Sequence, residues 1–72
     1  MVKNKSMKEI KFAENLKILR NARKLTQEEL GKALGVDKRT VSSWETGISE
    51  PNLHTIAKIC EFFDETFDSL LT

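Results

Sequence analysis

Two helix starts follow one another between Thr26 and Gly47, in the stretch TQEELGKALGVDKRTVSSWETG, with a single glycine between them. Thr26 and Glu29 form a capping box, in which hydroxyl and carboxylate each take a backbone N–H of the first turn. Leu25 and Leu30 stand where a hydrophobic staple closes over that cap. Gly35 falls where the helix must stop, because a left-handed residue costs least without a Cβ. Asp37 caps a second helix, and Val36 with Val41 repeats the staple. The spacing predicts one helix over about residues 27–34 and another over about 38–46, ended by Gly47. Too little chain joins them for a flexible loop, so they must cross at a fixed angle.

Such a pair buries its inner positions, Leu30, Leu34, Val36, Val41 and Trp44. The outer positions of the second helix are Lys38, Arg39, Ser42, Ser43 and Thr46, all donors or small polar groups. An exposed helix face of this composition suits the major groove of duplex DNA. The plain alternative for each of these residues is a solvated helix position.

The set Gln27, Leu30, Gly31, Leu34, Gly35, Val36, Val41, Trp44, Glu45 and Gly47 resembles the helix-turn-helix of the phage repressor and Cro family, also called the XRE family. The resemblance runs from about Phe12 to Leu71 and fixes small, apolar and polar positions together. It implies an all-α fold: a compact, lambda-repressor-like bundle of about five short helices, with the helix-turn-helix at helices 2 and 3. Gly31 is a departure, since the family more often has alanine there. Both are expected to be small enough for a close helix crossing, although glycine costs roughly 1 kcal/mol in a helix interior.

At 72 residues the chain is one domain near the lower end of what folds alone. No apolar run approaches the roughly 18 residues a membrane helix needs. No signal-peptide layout is present, and a cytoplasmic location is expected. Cys60 stands alone, which excludes an internal disulfide and a cysteine-rich metal site. The net charge of +1 says little, but its distribution is lopsided. Met1 to Arg39 carries eleven Lys and Arg against five acids, net +6; Thr40 to Thr72 carries Lys58 against six, net −5. The basic part includes the start of the outward helix. A solvated lysine face on helix 1 is the bland account of the same charges.

Residues 1–11 read as a basic N-terminal tail or extension of helix 1, and residues 12–72 as the helix-turn-helix domain. Ser6 with Glu9 offers a further capping box, so helix 1 can begin near Met7. Ile10, Phe12, Ala13, Leu16 and Leu19 give its apolar stripe, and it should end near Arg23 or Lys24. Ile48 to Pro51 reads as a loop, since Pro51 disfavours helical geometry at Glu50. Asn52 caps a helix over about 53–63 whose apolar face holds Leu53, Ile56, Ala57, Ile59, Cys60 and Phe63. After Asp64 and Glu65, Thr66 caps a last short helix carrying Phe67, Leu70 and Leu71.

Binding to duplex DNA has two parts: phosphate contacts provide affinity and register, and base-edge contacts provide choice of sequence. The resemblance assigns Gln27, in the first turn of helix 2, to the DNA backbone, and the free amides there favour a phosphate oxygen. It places the N-terminal end of helix 3 deepest in the groove. Lys38, Arg39 and Ser43 are therefore the candidate base contacts, with Arg39 first because its guanidinium can donate two bonds to guanine. Thr40 and Ser42 are short donors suited to phosphate or to a thymine methyl, and Thr46 is a further phosphate candidate. The resemblance also pairs Arg20 with Glu45 beneath the DNA surface, neutralising an acid that would repel phosphate. In the loop after helix 3 the family often has a basic residue; Ile48, Ser49 and Glu50 stand there instead, and Glu50 should weaken the backbone contact. Trp44 and Cys60 read as core, and His54 as surface.

The function implied is a transcriptional regulator, of repressor kind, that binds a double-stranded DNA operator as a homodimer on half-sites about one helical turn apart. The alternative is a protein-interaction module or antitoxin-like partner that kept the fold and uses its acidic second half. No paired catalytic residues, nucleotide loop or metal-ligand spacing points to an enzyme, and no cofactor is expected.

Overall fold

The computed structural model describes residues 11–72. They form five helices: α1 (Phe12–Ala22), α2 (Gln27–Leu34), α3 (Lys38–Thr46), α4 (Leu53–Phe63) and α5 (Phe67–Leu71). No strand occurs among the described residues. The capping box at Ser6 and Glu9, the helix start near Met7 and the place of Ile10 lie outside them.

The caps form as the spacing requires. Thr26 Oγ1 accepts the Glu29 N–H at 3.0 Å, and Glu29 Oε1 accepts the Thr26 N–H at 2.8 Å. Asp37 Oδ1 takes the Arg39 N–H at 2.8 Å, and Asn52 Oδ1 takes the Thr55 N–H at 2.9 Å. Thr66 and Ser69 close a second box over α5. At the other ends Gly35 and Gly47 adopt the left-handed conformation, with φ of 78° and 80°. α1 and α4 stop in the same way without glycine, at Lys24 and Asp64, both with φ 58°. In each case the residue after the left-handed one donates back into the last turn, Leu25 N–H to the Arg20 carbonyl at 3.1 Å and Glu65 N–H to the Cys60 carbonyl at 2.8 Å. This is the Schellman closure.

Aspartate tolerates the left-handed region through its short polar side chain; lysine has no such compensation. Lys24→Gly should therefore stabilise the domain by about 0.5–1 kcal/mol, after the extra freedom glycine gives the unfolded chain. A thermal melt checks this, and a lowered midpoint would contradict it.

Leu16, Leu30, Val41, Ile59 and Leu70 are fully buried, and Phe12, Leu34, Trp44, Ile56, Cys60 and Phe63 complete the core. α3 is held between α1 and α2, while α5 packs on α1 and α4. The apolar face of α4 is narrower than its composition suggests. Leu53 and Ala57, expected on that face, are exposed, Leu53 to 72%. Ala57 is turned about 100° from Ile56 around the helix, and Leu53 lies in the first turn at the edge of the buried arc. On α5, Leu70 enters the core, Leu71 is half-buried and Phe67 is exposed.

The joint between α2 and α3 is tighter than the sequence suggested. A Cβ on Gly31 would lie 2.6 Å from the Val36 carbonyl oxygen and 3.4 Å from the backbone at Asp37 and Lys38. Alanine is thus not equivalent to glycine here, because α3 starts directly over α2. The Val36 N–H, donating to the Gly31 carbonyl at 2.8 Å, fixes that approach. Gly31→Ala should gain roughly 1 kcal/mol of helix propensity and lose more, about 1–3 kcal/mol, to the forced shift. The expected net result is a lower melting midpoint; a rise would show that the joint yields freely.

Candidate nucleic-acid interface

α3 turns Val41 and Trp44 into the core and leaves its other side open. Arg39 is the most projecting of the candidate base contacts, its side chain 90% exposed. Its single ion-pair partner among the described residues is Asp37, with Nε and Oδ1 3.5 Å apart. The Asp37 carboxyl is held below its ordinary range, chiefly by the Arg39 backbone N–H and further by the Arg39 and Lys38 charges. The lowered carboxylate pKa makes the cap's contribution complete above the ordinary carboxylate value and lost as pH falls below it. Lys38 is exposed beside Arg39, and Thr40, Ser42 and Ser43 are half-buried. No described residue hydrogen-bonds the hydroxyls of these three. Thr46 differs: its hydroxyl donates to the Ser42 carbonyl at 3.0 Å, so it would have to leave that bond to donate to a phosphate.

Behind this face lies the Arg20–Glu45 pair. Arg20 Nε donates to Glu45 Oε2 at 2.6 Å and Nη2 to Oε1 at 3.0 Å, a two-pronged contact with side chains 11% and 2% exposed. Arg20 Nη1 also donates to the Leu25 carbonyl at 2.7 Å, tying the α1–α2 turn to the base of α3. The Glu45 hydrogen bond holds the Arg20 guanidinium further into its charged form, against the opposing effect of burial. Gln27 joins the same group, its Nε2 donating to Glu45 Oε1 at 3.1 Å. The pairing expected of Arg20 and Glu45 is thus present; the link to Gln27, eighteen residues away in sequence, had no local signal.

A helix-turn-helix family model matches residues 16–70. The chain belongs to the helix-turn-helix family. The resemblance carried by Gln27 through Gly47 is borne out, and the five-helix fold with it. The HTH-type transcriptional activator BcrR of Enterococcus faecalis is 40% identical over 63 residues, which cover 88% of this chain and 31% of that protein. The P22 c2 repressor, solved in complex with a synthetic operator, superposes with a TM-score of 0.79 at 30% identity, covering 85% of this chain and 92% of that one. The hydroxypropylphosphonic acid epoxidase of S. wedmorenis also superposes at 0.79 with 29% identity, but only over 34% of its length. The chain thus spans about a third of BcrR and of the epoxidase.

The helix-turn-helix domain carries further polar ties that no local motif announced. Arg23 Nη2 donates to the Phe63 carbonyl at 3.1 Å, and its guanidinium lies 5.3 Å from the Phe63 ring centre. Lys58 Nζ donates to the Leu34 carbonyl at 3.2 Å, and Asn15 Nδ2 to the Leu70 carbonyl at 2.8 Å. Each satisfies a carbonyl at the end of another helix, which water would otherwise have to serve. Glu50 is exposed in the loop after α3, as are Ile48 and Ser49, so the basic residue common in the family has no substitute at that edge. Cys60 is buried, which pushes its thiol pKa up, with the Glu65 charge adding to the shift. Burial and the raised pKa both disfavour its thiolate, the reactive form. His54 is exposed. Among the described residues no group of acids, histidine and cysteine could hold a metal ion, and no helix is long and apolar enough to cross a membrane.

Proposed function

We propose that this domain binds double-stranded DNA sequence-specifically as a transcriptional regulator, laying α3 in the major groove. The observation that carries this is the free outward side of α3, with Arg39 90% exposed, on a helix whose inner side is anchored by Val41 and Trp44. Arg39, Lys38 and Ser43 read base edges. Gln27, Thr40, Ser42 and Thr46 hold phosphates. Residues 12–72 are the binding domain, with the basic residues 1–11 as a tail or helix extension. BcrR is an activator and the P22 protein a repressor solved on a synthetic operator; for this chain the proposed effect is repression.

A homodimer on a pseudo-palindrome follows from the weakness of one half-site. A single α3 is nine residues long, and the exposed Glu50 repels phosphate at its edge. Selection from random duplex DNA tests the whole reading. It should return inverted half-sites about 10 base pairs apart, centre to centre. Affinity for the selected duplex should fall log-linearly with salt, as counterion release requires. A flat salt response, or no enriched motif, would overturn the proposal.

A further inference from the structure

Glu45 accepts three hydrogen bonds, two from Arg20 and one from Gln27. Arg20 alone neutralises its charge, so the third bond has a separate consequence. A carboxylate only accepts, so the Gln27 carboxamide must meet it with its NH2 end and not with its carbonyl. One N–H of Gln27 is then spent on Glu45 and the end of the amide that faces it is set, leaving the second N–H of the same nitrogen unused by any described residue. Gln27 is the first residue of α2, beside main-chain N–H groups that the helix itself leaves unpaired.

We infer that Glu45 is a positioning residue for DNA binding: it pins the Gln27 amide so that its second N–H is the phosphate donor at the start of α2. This rests on the DNA-binding reading above. Arg20 in turn fixes Glu45, so α1, α2 and α3 together aim one donor. Glu45→Gln keeps the size of the side chain and an acceptor for Arg20. It also offers an amide that can face Gln27 with either end, so the orientation is no longer imposed.

Two measurements test this. In the free protein, nuclear magnetic resonance should show one Gln27 side-chain N–H proton displaced from the shift of an exposed glutamine amide and protected from exchange. In Glu45→Gln that displacement and protection should be lost. Gln27 side-chain protons with the shifts and exchange of an exposed glutamine in the wild type would overturn the inference whatever the DNA result. On the selected duplex, at a temperature where circular dichroism shows both backgrounds folded, Gln27→Ala should weaken binding about 10-fold beside Glu45. It should weaken binding about 2-fold or less beside Gln at 45, a coupling within the range found for contacting residues. Equal losses in the two backgrounds would make Glu45 merely structural and sink the proposal. Absence of any salt-sensitive duplex binding by the wild type would instead remove the DNA-binding reading, while the resonance measurement still decides the pinning.

Discussion

Glu45→Ala should cost the domain about 3–5 kcal/mol, the typical penalty for removing one partner of a buried ion pair. Most of the loss comes from Arg20. Its guanidinium, in a side chain 11% exposed, would keep only the Leu25 carbonyl of its present partners. Gln27 would lose its acceptor as well. At about 4–8 °C per kcal/mol for a domain this small, the melting midpoint should fall by about 12 °C or more. Glu61→Ala is the matched control. Glu61 is exposed on α4, and its loss should change stability by no more than about 0.5 kcal/mol. Equal midpoints for the two variants would contradict the account of the pair as the tie between α1 and α3.

Arg39→Ala should do the reverse, sparing the fold and altering the reading of DNA. Its contact with Asp37 is long and solvent-exposed, and such pairs contribute little. Alanine keeps the backbone N–H that Asp37 caps, and it is a better helix former than arginine. Stability should therefore stay within about 0.5 kcal/mol of the parent. Discrimination at one base pair of each half-site should drop by about 1–3 kcal/mol, the worth of a two-pronged arginine contact. Selection with the variant should return a motif degenerate at that position and unchanged elsewhere. An unaltered motif would move the base contact to Lys38 or Ser43. Together the two substitutions separate the frame that holds α3 from the face that α3 presents.

Much of this was legible in the chain because the signals are local. A cap needs its donor and acceptor within one turn, so Thr26, Asp37, Asn52 and Thr66 announced four helix starts that all formed. A glycine can mark a left-handed stop by itself, as Gly35 and Gly47 did. The outward side of α3 was legible for the same reason, since Val41 and Trp44 set its phase and the polar positions followed.

Other features depended on which helices meet. Lys24 takes a left-handed conformation that its residue type does not favour, and Arg23 reaches across to the Phe63 carbonyl just before the left-handed Asp64. A side chain at Gly31 became costly only when α3 came to rest over it. Leu53 and Ala57 stayed in solvent because no neighbour reaches that part of α4. The tie from Gln27 to Glu45 joins the first residue of α2 to the eighth of α3. Sequence by itself determined where four of the helices start, where two of them stop and which side of α3 is polar, since those depend on groups a few residues apart. Tertiary structure alone decided which carbonyls the distant cations satisfy, at which glycine a Cβ is strained and which end of the Gln27 amide meets Glu45. Those depend on distances between helices, which no local spacing encodes.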